Sequence, residues 1–127
     1  MKQLISTITL GVKNLERSIE FYQQGLNLPL IDGPENAVFF ETSGSRLCLF
    51  PLEDLAKDIQ IPSAEGSGFP GITLAHKVDR PEEVDALLEE ALNAGAKLVK
   101  PGQPAFWGGY AACFADPDGY YWEITTD

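Results

Sequence analysis

The stretch Trp107-Gly108-Gly109-Tyr110, running on through Phe114 to Asp116-Pro117-Asp118-Gly119 and then Tyr120-Tyr121-Trp122-Glu123-Ile124, decides how the rest of the chain is read. Two aromatic-rich runs flank a turn containing Pro and Gly, the pattern of a β-hairpin. Asp116 can bond its own backbone two residues on, Pro117 presets φ at the first turn position, and Gly119 takes a left-handed conformation at little steric cost. Alternation along the second run puts Tyr121 and Glu123 on one face and Trp122 and Ile124 on the other. A carboxylate on an otherwise apolar strand is a candidate functional group; the competing reading is an edge glutamate facing water.

Upstream of the hairpin, Gly71 to Val78 is strand-like. Asp79 is a possible cap, Pro81 suits a first helical turn, and Val84, Leu87, Leu88, Ala91 and Leu92 form an apolar stripe. Asn93-Ala94-Gly95 ends that helix, Lys97 to Val99 makes a short strand, and the hairpin completes a β-α-β-β-β order. The first half reads the same way. Leu4 to Val12 alternates as a strand. Asn14 can cap a helix carrying Leu15, Ile19, Tyr22 and Leu26, which Gly25 or Asn27 can end. Leu28 to Ile31 precedes the Asp32-Gly33-Pro34 break, and two strands, Ala37 to Thr42 and Arg46 to Phe50, flank Ser43-Gly44-Ser45. Between the halves, Leu52 to Asp58 suggests a helical turn, and residues 62–68 have the composition of a mobile linker.

The expectation is an α+β fold: two tandem β-α-β-β-β modules, about 4–51 and 71–126, joined by a linker of about 52–70 within one domain of 1–127. Such units have one open sheet face each, which two of them can close into a cup-shaped, partly open barrel with helices outside. The halves echo one another, Ile8-Thr9-Leu10 against Ile72-Thr73-Leu74 and Gly44 against Gly119, which sets Cys48 in the place of Glu123.

The 127 residues are 44% hydrophobic, enough for a real core, and carry a net charge of -10. That charge argues against nucleic acid and anionic membranes as partners. With no apolar leader and no run long enough to span a bilayer, the protein is expected in the cytoplasm. Cys48 and Cys113 fall in strand-like segments without metal-binding or redox spacing and read as reduced, buried thiols. No phosphate-binding glycine loop, dinucleotide fingerprint or zinc-ligand spacing occurs.

Residues Leu10-Gly11-Val12-Lys13-Asn14-Leu15-Glu16-Arg17-Ser18 leading to Phe21-Tyr22, the second helix with Gly95, and Phe114-Ala115-Asp116-Pro117-Asp118-Gly119 ending at Glu123 resemble the vicinal oxygen chelate superfamily. This family includes glyoxalases, extradiol dioxygenases and bleomycin-resistance binding proteins. The resemblance implies about four metal-binding side chains drawn from both modules, at Thr7, near Cys48, at Thr73 (or Gly71 in the alternative register) and at Glu123. Only Glu123 carries a matching group, because Thr is a poor ligand for Mn, Ni, Zn or Fe. His76, the one histidine, lies by strand parity with Leu74 and Val78, and only a bulge would turn it into the site.

The expected function is therefore binding of a small organic molecule in the cup, with no cofactor. Glu123 is the candidate catalytic or anchoring group, and Thr7, Thr9, Cys48, Thr73, Phe106, Trp107, Tyr110 and Tyr121 are candidate ligand contacts. Phe106 and Trp107 could stack on a ligand or close the mouth through a Gly108-Gly109 hinge; packing is the competing reading. The alternatives are a divalent-metal-dependent glyoxalase-like lyase or dioxygenase-type enzyme, and a regulatory protein with a vestigial cup. Relatives commonly dimerise, so a homodimer is expected.

Overall fold

The apolar alternation of the strands and the stripes of the helices build two units, Met1–Ser67 and Gly68–Asp127, each with its own four-stranded mixed sheet. A computed structural model describes residues 1, 3, 5–31, 33, 36–66, 68–70 and 72–127. Leu4, Asp32, Pro34 and Gly71, to which strand starts, a chain break and an alternative ligand position were assigned above, lie outside the described residues.

In the first unit the order is β1 (Thr7–Val12), α1 (Leu15–Ile19), β2 (Leu30–Ile31), β3 (Val38–Phe40), β4 (Arg46–Pro51) and α2 (Leu52–Asp58). The sheet runs β1-β4-β3-β2, with β1 parallel to β4 and the other pairs antiparallel. Asn14 caps α1 as expected, its side chain accepting from the Arg17 N–H at 3.0 Å. The helix then widens into a π-helical segment, Glu20–Gly25, which helical spacing alone does not foretell. The Leu26 N–H donates to the carbonyl of Phe21, five residues back, at 3.0 Å. Phe21 and Tyr22, adjacent in sequence, are both buried, with rings edge-to-face at 4.9 Å and Tyr22 6.0 Å from Phe40 of β3. Each such ring contributes roughly 2–3 kcal/mol by leaving water. Asn27 turns the chain at φ 59. The segment expected to be linker begins with α2, which belongs to the first unit and rests on Gly11 of β1: a Cβ there would meet the side chains of Leu52 and Leu55.

The second unit repeats the topology with β5 (Thr73–Lys77), α3 (Pro81–Asn93), β6 (Lys97–Pro104), β7 (Tyr110–Ala115) and β8 (Tyr121–Thr125), in sheet order β5-β8-β7-β6. Arg80, not Asp79, is the N-cap of α3; its guanidinium reaches Glu83 at 2.8 Å, and Pro81 opens the first turn. Val84, Leu88 and Ala91 of α3 are buried with Ala112, Phe114 and Ile124 of the sheet. Phe114 and Trp122 stack in parallel across the ladder at 6.3 Å. β6 is longer than the sequence suggested, and it is irregular, as an edge strand carrying Pro101, Gly102 and Pro104 can be.

The hairpin forms as its turn residues dictate. Asp116 is buried, and its Oδ1 accepts from the N–H groups of Asp118 at 2.9 Å and Tyr120 at 2.8 Å; Gly119 sits at φ 89. Among the described residues no helix is long and apolar enough to cross a membrane.

Candidate functional site

In the second unit, α3 packs on the sheet face bearing Leu74, Phe114, Trp122 and Ile124, and the opposite face carries Glu123. Strand register defines that face. Ala75 pairs with Glu123, Glu123 with Cys113, and Cys113 with Lys100, one row crossing all four strands. The adjoining row contains Thr73, Tyr121, Ala115 and Lys97; the next contains Lys77, Thr125, Ala111 and Gln103. Glu123, Cys113 and Lys100 are half-buried, and alanines at 75, 111 and 115 keep the sheet surface low around them. Tyr121 makes an edge-to-face contact with Phe69 at 5.4 Å, forming an aromatic margin.

The electrostatics of the row converge on sulfur. Burial pushes the Cys113 thiol up from its ordinary value, the Glu123 carboxylate pushes it further, and the Lys100 ammonium opposes both. The thiol is thus held protonated between two opposite charges, with the carboxylate free to accept a hydrogen bond or a proton.

The corresponding row of the first unit is Thr9, Cys48 and Phe39. Burial raises the Cys48 thiol, and hydrogen bonding from the Thr9 side chain and the Val38 backbone opposes that rise. Thr7 lies two residues from Thr9, opposite Arg46. With Cys48 in the place of Glu123, the ladders equate Thr9 with Ala75 and Thr7 with Thr73, so the Ile8-Thr9-Leu10 echo falls two residues further along than the sequence comparison set it.

The other candidates fall elsewhere. Tyr110 has the parity of Ala112 and Phe114, and its hydroxyl donates to the Asp85 carboxylate of α3 at 2.9 Å, so it joins helix to sheet on the face away from Glu123. That bond raises the Tyr110 pKa. His76 pairs with Ile124, also away from Glu123, and is exposed on an edge strand. Phe106 and Trp107 occupy the tip between β6 and β7, their rings edge-to-face at 5.3 Å, with Phe106 99% exposed. The tip is tied by the Ala105 N–H donating to the Gly109 carbonyl at 2.8 Å. Gly108 sits at φ 106, whereas Gly109 is wedged under the last strand: a Cβ there would lie 2.5 Å from the Thr126 carbonyl oxygen.

A divalent metal, which the fold resemblance implies, does not fit these donors. The four positions carry two neutral threonine hydroxyls, a thiol whose ionisation burial disfavours, and one carboxylate. Among the described residues no three His, Cys, Asp or Glu side chains gather where they could hold an ion.

Lys100 and Cys113 are the ionisable members of the row that sequence reasoning did not select. The signal available was Pro101-Gly102, which marks an irregular strand but not the direction in which its neighbour turns.

Comparison with known proteins agrees with this topology. The chain is 29% identical over 122 residues to the uncharacterized protein YraH of Bacillus subtilis (strain 168), covering 92% of this chain and 93% of that one. It superposes on a glyoxalase-related enzyme from Fulvimarina pelagi with a TM-score of 0.89 and 31% identity, covering 98% of this chain and 88% of that one. A glyoxalase/bleomycin resistance protein/dioxygenase family enzyme from Burkholderia phytofirmans PsJN shares the fold with a TM-score of 0.85 at 22% identity, covering 95% and 96% of the two chains. With residues 4–124 matching the family model and the β-α-β-β-β topology present in both units, the chain belongs to the Glyoxalase/Bleomycin resistance protein/Dioxygenase superfamily.

Proposed function

We propose that this protein binds a small organic molecule over the sheet face around Glu123, without a tightly held metal. The observation that carries the reading is the row Ala75, Glu123, Cys113 and Lys100, which presents a carboxylate and an ammonium on the face that α3 leaves open. Low alanine flanks give a ligand room, and the Tyr121–Phe69 pair offers it an aromatic edge. In this role Glu123 anchors a hydroxyl or amine of the ligand, or takes a proton from it. Thr73 and Tyr121 stand beside it as contacts. The poor donor chemistry at Thr7 and Thr73 supports a metal-independent mode over a glyoxalase-like lyase or dioxygenase.

The test joins metal analysis to ligand screening. Protein purified without chelator or affinity metal is expected to contain metal well below one ion per chain. Ligands found by thermal shift are expected to stabilise the parent and to lose that effect in Glu123→Ala, with Glu123→Gln as the isosteric control. Near-stoichiometric metal that disappears in Glu123→Ala would sink the reading and favour the metal-dependent enzyme.

A further inference from the structure

Strand β6 presents its side chains in an unusual order. Leu98 and Val99 are 53% and 48% exposed, while Lys100 is the residue turned partly inward. The cause is a bulge. Leu98 lies opposite Phe114 and Lys100 opposite Cys113, so two steps on β6 match one on β7. In regular pairing Val99 would face Cys113, and Lys100 would fall on the α3 side of the sheet. The extra residue instead brings an ammonium into the Glu123 row, and a second irregularity before Gln103 keeps that side chain on the same face.

The two charges of this row are not used on each other. Lys77 pairs with Asp127 at 2.7 Å and Arg80 with Glu83 at 2.8 Å, but among the described residues neither Lys100 nor Glu123 is in an ion pair. They stand on strands two ladder steps apart, about 9.6 Å between backbones, with the Cys113 thiol between them. Both charges act on that sulfur with opposite sign. Half-buried, opposite and unpaired, they form a template for a molecule carrying the complementary pair.

We infer that the Glu123 face takes a zwitterionic small molecule, its ammonium group on Glu123 and its carboxylate on Lys100. The inference rests on the ligand-binding reading above and adds the ligand's charge pattern. Spacing of the two strands suits an amine and a carboxylate separated by a chain of about five methylenes.

The probe is 6-aminohexanoate, with hexanoate and hexylamine as single-charge controls, titrated into the full chain and into Lys100→Met and Glu123→Gln while backbone amide shifts of β7 and β8 are followed by NMR. The parent is expected to bind 6-aminohexanoate more tightly than either control, and each substitution to weaken it about tenfold or more. Lys100→Met should abolish the response to hexanoate and keep that to hexylamine, and Glu123→Gln should do the reverse. Absence of 6-aminohexanoate binding, or affinity within about twofold of the parent in Lys100→Met, overturns the inference. Unchanged binding together with self-association of Lys100→Met would assign the lysine to protecting an edge strand, which also overturns it. If a neutral or singly charged compound from the thermal-shift screen binds dependently on Glu123 and independently of Lys100, the charge pattern fails while the binding reading stands. If no compound depends on Glu123, both fall.

Discussion

Cys113 stands directly opposite Glu123 in the antiparallel β7–β8 ladder, so the half-buried thiol and the carboxylate share one face of the sheet. Burial and this carboxylate together hold the thiol above its ordinary pKa. Alkylation at pH 8 follows the thiolate fraction, so Glu123→Gln should speed modification of Cys113 by about two- to threefold, and Lys100→Met should slow it. Rates measured with iodoacetamide in a Cys48→Ala background isolate the one sulfur. Equal rates in parent and both variants would show that neither charge reaches it.

The pH dependence of stability follows from the same groups. Cys48 and Cys113 have raised values in the folded chain, so the native state holds these protons more tightly than the unfolded state does. Their stabilising contribution is complete below the ordinary thiol value of about 8.5 and is lost as pH rises through the folded values. Tyr110, raised by its bond to Asp85, acts with the same sign at higher pH. Urea midpoints are expected to fall from pH 8 to pH 10, with a shallower fall in the Cys48→Ala/Cys113→Ala double variant. An identical slope in the two proteins would remove the thiols from the account.

At the hairpin turn, Asp116→Ala leaves the Asp118 and Tyr120 N–H groups without the acceptor they share. The expected loss is about 3 kcal/mol in chemical denaturation, with Asp116→Asn recovering part of it because the amide oxygen still accepts. Gly119→Ala, at φ 89, should cost about 1 kcal/mol.

The tip between β6 and β7 gives the opposite expectation. Phe106 is almost wholly exposed, so Phe106→Ser should change stability by less than about 0.5 kcal/mol. Gly109→Ala, three residues away, drives a Cβ against the Thr126 carbonyl and should cost about 2 kcal/mol. Comparable losses in both variants would mean that the Phe106 ring is packed.

The repeat was legible because each unit needs the same apolar faces and turns, which sequence periodicity records. Asp116, Pro117 and Gly119 specified the hairpin through local chemistry, and the structure returns the roles of Asp116 and Gly119. The face of Glu123 was legible from parity because β8 is regular. Tyr110 was harder to read: its parity places it with Ala112 and Phe114, and its partner Asp85 lies 25 residues away on α3. The π-helical turn and the β6 bulge were illegible for a related reason. Each inserts a residue into a regular period, and the amino-acid pattern records the average period rather than its interruption.

The bulge in β6 also makes strand length a variable of ligand choice. Adding one residue between Leu98 and Val99, with the bulge kept, would present Val99 to Cys113 and move the ammonium to the other side of the sheet, with no substitution in β7 or β8. On an edge strand, bonded to only one neighbour, such an insertion disturbs a single ladder. Relatives that differ by one residue in this segment would therefore offer different charges beside the same glutamate, through a change of spacing that identity scores do not weigh.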